Sequence, residues 1–242
     1  MALGMGELGR GELVRRYKRF LADVRLADGR IITIHCPNTG SMKNCADPGD
    51  EVFFSTSTNP ARKYPHTWEF SRTSRGHIIG INTHRANALV RDGIECGVIS
   101  ELGGYARLAA EVRYESGRSR ADFWLGGSDN LPDCFVEVKS VTLLESPIKA
   151  GIGFFPDAVS ERASRHLADL QQVVQSGGRA LLCFCVQHSG IREVRPAVHI
   201  DPIYARTLNL AIANGVEVIA YKARITPREA RLVKAVPVVS GE

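Results

Sequence analysis

The chain has 242 residues, 44% hydrophobic and 24% charged, which is enough apolar material for one large domain or two smaller ones and excludes a wholly disordered chain. Lys and Arg number 31 against 26 acidic residues, a net charge of +5 that permits nucleic-acid contacts but excludes a polybasic, histone-like composition. No apolar run approaches the ~18 residues needed to span a bilayer, and the opening MALGMGELGRGELVRRYKRF has no apolar core behind a basic start, so neither membrane insertion nor secretion is expected.

The charge is uneven along the chain. Residues 1–85 hold 13 basic and 8 acidic side chains and residues 86–242 hold 18 of each, so the whole surplus lies in the first third, with four of the seven histidines. The six cysteines are scattered with no CxxC pair, and Cys183 and Cys185, two apart in an apolar run, read as core thiols on one strand face. A reduced, cytoplasmic protein is the expectation.

Residues 1–82 read as a module of short β segments. Residues 19–26 are followed by Ala27-Asp28-Gly29, whose Asp-Gly makes a turn, and by the alternating segment 30–35, which together predict a hairpin. The turn-rich CPNTGSMKNCADPGD then leads to predicted strands at 51–55 and 67–71, an arrangement that fits a small barrel of the oligonucleotide/oligosaccharide-binding (OB) type. Arg15, Arg16, Lys18 and Arg19 stand beside Tyr17 and Phe20, and cations with aromatic faces suit phosphates and stacked bases. The same residues equally suit an edge strand solvated by its arginines. RKYPHTWEFSRTSRGH at 62–77 is open to two uses as well, a second contact surface or the packed junction between modules. His35, Cys36 and Cys45 lack the second close ligand pair of a zinc site, and PNTGSM at 37–42 lacks the lysine and following helix of a nucleotide-binding P-loop, so it reads as an anion contact or a turn.

Past Gly80 the period changes. Residues 82–90 read as a short helix and 93–104 as a Gly-interrupted connection with another short helical segment. Strands are predicted at 111–115, 119–125, 134–141, 180–187 and 216–221, and helices at 157–175 and 204–213. In the longer helix Val159, Ala163, Leu167, Leu170 and Val174 form an apolar stripe, Asp157 after Pro156 is the expected cap, and Gly177-Gly178 the stop. Helix followed by strand occurs twice, which predicts parallel neighbours in a mixed αβ layer.

The segments ADFWL and CFVEVKS carry the chemistry. The turn GGSDNLPD at 126–133 is centred midway between residues 122 and 137, so a symmetric antiparallel hairpin sets Asp122 opposite Glu137. Glu137 and Lys139 then share one face while Val136 and Val138 pack on the other. Asp122, Glu137 and the Val138 carbonyl are hard oxygen donors for Mg²⁺, for which Mn²⁺ can substitute, and Lys139 can orient or deprotonate an attacking water. Phosphodiester hydrolysis is the reaction this set suits. The same three side chains also fit an ordinary polar strand face. Glu111 is a further acid if its strand phase turns it inward and a surface charge if not. Arg162, Arg165, His166 and Asp169 recur three or four apart on the long helix, a face for backbone phosphates, and Gln172 extends it towards a base edge or open solvent.

Taken together, FLADVRLADGR, HCPNTGSM at 35–42, YPHTWE at 64–69, SRADFWL at 119–125, FVEVKSVTL at 135–143 and FPDAVSERASRHLADL at 155–170 closely resemble the sugar fermentation stimulation protein family over almost the entire chain. The resemblance implies DNA binding associated with regulation of sugar utilisation. It also implies an α+β two-domain chain, an N-terminal OB-fold-like β-barrel at 1–82 and a C-terminal PD-(D/E)xK nuclease-like mixed α/β domain at 83–242. Carried onto this sequence, the nuclease pattern puts its metal-binding acids at Asp122 and Glu137, its lysine at Lys139 and an additional acid at Glu111. Ala121 stands where the pattern has proline, and Ala163 where the family is expected to have glycine; neither change removes a metal ligand. The expected DNA contacts are Arg15, Arg16, Tyr17, Lys18 and Arg19 on the barrel and Arg162, Arg165 and His166 on the helix. Three readings follow: a DNA-binding protein with Mg²⁺-dependent nuclease capacity, a noncatalytic DNA-binding regulator with a vestigial nuclease fold, and a carbohydrate-responsive binding module. Assembly into a homo-oligomer is left open.

Overall fold

The computed structural model describes residues 2–114, 117, 119–145 and 150–240. After a short β1 (Leu3–Gly4), strands β2 (Gly9–Tyr17), β3 (Leu21–Arg25), β4 (Ile31–His35), β5 (Glu51–Thr56), β6 (His66–Arg72) and β7 (Ile78–Gly80) form one sheet in the order β4-β3-β2-β5-β6-β7. A β4–β6 pairing at His35 and Thr67 closes β2 to β6 into a barrel. Strand alternation sends Leu13, Val24, Ile34, Val52, Phe54 and Trp68 into its interior. This is the OB-type barrel expected, with the β3–β4 hairpin turning on Gly29 at φ 84°.

Several boundaries differ from expectation. Strand β3 starts at Leu21 rather than residue 19, because Lys18 and Arg19 sit at positive φ (50° and 62°) and, with Phe20, make the turn from β2. Strand β2 went unread because GRGELVRRY buries only Leu13 completely, yet it lies between β3 and β5 and is no edge strand. Within 62–77, Trp68 lies inside the barrel and Phe70 stacks on Phe53 at 4.3 Å in the core shared with the second module. These rings therefore serve packing and the junction, not an exposed contact surface.

The second module follows with α1 (Arg85–Glu95), β8 (Arg107–Arg113), β9 (Arg120–Gly126), β10 (Cys134–Val141), β11 (Leu143–Leu144), β12 (Ile152–Phe155), α2 (Glu161–Gln175), β13 (Arg179–Val186), β14 (Glu193–Pro196), α3 (Pro202–Ala213), β15 (Glu217–Ile225) and β16 (Glu229–Ala235). Its main sheet runs β1-β16-β15-β13-β10-β9-β8, with β10, β13 and β15 parallel as the two helix–strand units predict. Helix α1 covers one face, where Leu89 and Val90 meet Val136, Val138, Cys183 and Cys185; α2 and α3 cover the other, where Leu167, Leu170 and Leu208 meet Leu182 and Phe184. The N-terminal Leu3–Gly4 strand belongs to this sheet and not to the barrel.

Helix α1 begins at Arg85, three residues later than read, because the Asn82 amide donates to Glu69 and its carbonyl accepts from the His84 N–H. Strand β8 begins at Arg107 and ends at Arg113, ahead of the predicted 111–115; residue 115 lies outside the described residues. Helix α2 is capped by Ser160, whose hydroxyl accepts from the Ala163 N–H at 3.2 Å, rather than by Asp157. Asp157 instead accepts from the Ser41 hydroxyl and the Met42 N–H, both at 3.3 Å, and so ties the barrel's 37–42 loop to the second module. Lys43 with Glu145 (2.6 Å) and Asn44 with the Leu144 carbonyl (2.9 Å) extend that junction. Among the described residues no helix is long and apolar enough to cross a membrane.

Candidate active site between two clefts

The β9–β10 pairing runs in the register the turn predicts, with Leu125, Trp124 and Phe123 opposite Cys134, Phe135 and Val136. Continued by one step it would place Asp122 opposite Glu137, but the ladder ends there. The Asp122 carboxylate accepts the Val138 N–H itself, at 2.6 Å through Oδ2, while Oδ1 accepts from the Asn87 amide at 2.7 Å. Both polar groups of a strand residue leave by the same edge, so the Val138 carbonyl also faces the Asp122 side. Asn87, on α1, is a site residue that sequence reading missed, and nothing in its local pattern singles it out.

Glu137 and Lys139 share one face of β10, and it is the face on which His166 of α2 lies. Lys139 Nζ lies 2.5 Å from Glu137 Oε1 and 3.3 Å from His166 Nδ1, and His166 also contacts Glu137 Oε1. Glu137 is 2% exposed and its Oε2 is buried without a hydrogen-bond partner among the described residues. Burial pushes the Asp122 carboxyl above the usual range, the charge of Glu137 pushes it further, and the Val138 and Asn87 bonds offset only part of this. Burial opposes ionisation of Glu137 too, but the His166 and Lys139 contacts outweigh it and hold that carboxyl below its ordinary value. Two neighbouring carboxylates, Asp122 bonded only to neutral N–H donors and Glu137 with an unpartnered oxygen, fit a divalent cation. Among the described residues no three His, Cys, Asp or Glu side chains gather around one point.

Clefts open on both sides of this group. One, of about 670 Å³, is lined by Asp122, Glu111, Arg120, Arg162, Arg165 and His166, among others. Glu111 therefore does share the cleft with Asp122, and its φ of 56° marks the point where the β8–β9 ladder skips a pair. Arg162 Nε reaches His166 Nε2 at 3.3 Å, and Arg162 and Arg165 are exposed, so α2 presents cations to anything lying in this cleft. The other cleft, of about 310 Å³, brings the barrel loop at Asn38, Thr39 and Gly40 against Val138, Lys139 and Asn87. The loop that read as an anion contact or a turn is thus one wall beside the lysine.

The barrel patch divides by role. Arg15 pairs with Asp23 at 2.8 Å and covers the Tyr17 ring at 4.9 Å, and the Tyr17 hydroxyl donates to Asp23 at 3.1 Å. Arg16 is occupied: its guanidinium donates to the carbonyls of Arg19, Asn38, Gly40 and Ser41, which moulds the 37–42 loop rather than leaving a cation for solvent. Lys18 and Arg19 are on the protruding β2–β3 turn next to Phe20, which is 46% exposed.

Comparison with known proteins accounts for both modules. Residues 84–229 match the sugar fermentation stimulation protein RE domain and residues 14–81 the SfsA N-terminal OB domain. A sugar fermentation stimulation protein homolog from Shewanella loihica is 58% identical over 228 residues, 94% of this chain and 95% of the relative. The chain belongs to the sugar fermentation stimulation protein family. Another member, from Hahella chejuensis, is 54% identical over 94% of this chain and 93% of its own. The solved structure of Pyrococcus furiosus SfsA in complex with Ca²⁺ superposes with a TM-score of 0.86 at 26% identity, covering 99% of both chains. The family fold is thus the OB-type barrel joined to a mixed α/β domain, and the likeness to the SfsA structure covers both.

Proposed function

We propose that this family member is a DNA-binding protein that hydrolyses phosphodiesters at Asp122, Glu137 and Lys139 with Mg²⁺ or Mn²⁺. The observation that carries the reading is the partnerless, buried Oε2 of Glu137 beside an Asp122 carboxyl that burial and repulsion push upward. The Ca²⁺ bound to the Pyrococcus furiosus relative supports a divalent site in this fold. Asp122, Glu137 and the Val138 carbonyl would hold the ion, which when bound supplies Lewis-acid stabilisation of negative charge developing on the phosphate. Lys139 Nζ, fixed between Glu137 and His166, orients the attacking water and offsets phosphate charge. Arg120, Arg162 and Arg165 hold the flanking phosphates in the larger cleft, and Arg15, Lys18 and Arg19 add contacts from the barrel.

The test is cleavage of labelled single-stranded, duplex and branched DNA with Mg²⁺, with Mn²⁺ and with chelator. Metal-dependent cleavage of at least one substrate is expected. Binding that persists in chelator with no cleavage of any substrate would leave the noncatalytic regulator as the better reading.

A further inference from the structure

Beside the arginine cleft lies a second cavity, of about 240 Å³, walled by the rings of Tyr114, Trp124 and Phe135 and by Asp133, Asp169 and Gln172. Asp169 and Gln172 line both cavities, so the two adjoin along α2. The walls are built. Tyr114 and Phe135 stack at 5.5 Å with 26° between ring planes, and the Arg107 guanidinium sits 5.4 Å from the Trp124 ring centre. A Cβ at Gly126 would collide with the Trp124 indole, so glycine there is what lets the ring take its place. Asp169 accepts from the Ser119 hydroxyl at 2.5 Å. Tyr114 is 4% exposed, yet among the described residues its hydroxyl has no hydrogen-bond partner.

This lining selects its occupant. Among the described residues no lysine or arginine lines the cavity, and two carboxylates would repel a phosphate. Aromatic faces stack on any base, while carboxylates and an amide oxygen accept N–H groups. We infer that the cavity receives one unstacked nucleobase of a DNA strand whose phosphates lie in the arginine cleft, with preference for the exocyclic amino group of cytosine or adenine. The inference rests on the DNA reading above and sharpens it: a base must leave its stack to enter, which costs least in unpaired DNA.

The experiment measures binding of wild-type protein, in chelator, to short labelled oligo-dC, oligo-dT and an abasic strand of equal length. Oligo-dC is expected to bind at least about fivefold tighter than the abasic strand, the lower end of base–aromatic stacking, and tighter than oligo-dT. It should also quench tryptophan emission, because the other tryptophan, Trp68, is sealed in the barrel. Trp124→Leu should lose the quench and the oligo-dC advantage while binding the abasic strand as before. The wild-type comparison decides without the variant: equal binding of oligo-dC and the abasic strand, or of oligo-dC and oligo-dT, overturns the inference and leaves DNA binding standing. Failure of every strand to bind overturns both.

Discussion

Asp122 Oδ2 accepts the Val138 N–H at 2.6 Å, one step beyond the last β9–β10 backbone pair at Phe123 and Val136. A side chain completes the hydrogen bonding that the strand has given up. The bond fixes one carboxylate relative to Glu137 and Lys139, the residues either side of Val138, so the group is set by backbone geometry and not by free rotamers. The cost is a buried carboxylate next to another, which is why the Asp122 carboxyl is pushed upward.

That cost predicts a stability gain. Asp122→Asn should raise the stability by ~1 kcal/mol at neutral pH, a rise in Tm of a few degrees for a chain of this size. A raised folded-state carboxyl makes the wild type lose stability as pH rises through it, so the advantage of the variant should shrink in acid. Mg²⁺ should raise the Tm of the wild type and not of the variant, because a cation bound only by the folded state stabilises by mass action. Scanning calorimetry at several pH values, with and without Mg²⁺, checks both; an equal Mg²⁺ response in the two proteins would count against Asp122 as a ligand.

Glu69 predicts the opposite pH sign. Burial opposes its ionisation, but Arg85 at 2.5 Å, Ser55 and Asn82 outweigh this and hold the carboxyl below its ordinary value. Stability from this network is present above the unfolded carboxylate range and lost as pH falls through the depressed one. Glu69→Gln should cost ~2–4 kcal/mol at pH 7, by leaving Arg85 poorly paired at the junction. The gap between the melting curves of wild type and variant should narrow below about pH 4; a constant gap would contradict the role given to this pair.

Three of the barrel cations should separate into two behaviours. Lys18→Ser and Arg19→Ser, on the turn, should weaken DNA binding and reduce the salt slope of log K by about one per cation removed. Arg16→Ala should lower the Tm, since several carbonyls of the 37–42 loop lose their donor at ~1 kcal/mol each. Titrations at three salt concentrations, beside melting curves, distinguish them. A stable Arg16→Ala protein that has lost a unit of salt slope would return Arg16 to the DNA surface.

The fold was legible where local chemistry agrees with tertiary demand. The Ala27-Asp28-Gly29 turn predicts a hairpin and the symmetric spacing about residues 126–133 a register, and both are observed. What was hidden depends on distant partners. Strand β2 has a polar sequence because its outer face is solvated, and β16 is completed by β1 from the far end of the chain. Arg16 read as a free cation because three of its four carbonyl partners lie more than twenty residues on. Asn87 and Tyr114 reach the site only because α1 and β8 pack around β9, which no local pattern announces.

The central claim, hydrolysis at the Asp122, Glu137 and Lys139 group, is tested most directly by single-turnover cleavage of the preferred DNA substrate by wild type and Lys139→Ala in Mg²⁺. DNA affinity in chelator and the Mg²⁺-induced rise in Tm are measured on the same samples. Lys139→Ala should lose about a hundredfold or more in rate, with the Mg²⁺ response of the Tm retained because lysine is not a metal ligand. Wild-type rates in Lys139→Ala, or cleavage unaffected by chelator, would contradict that claim.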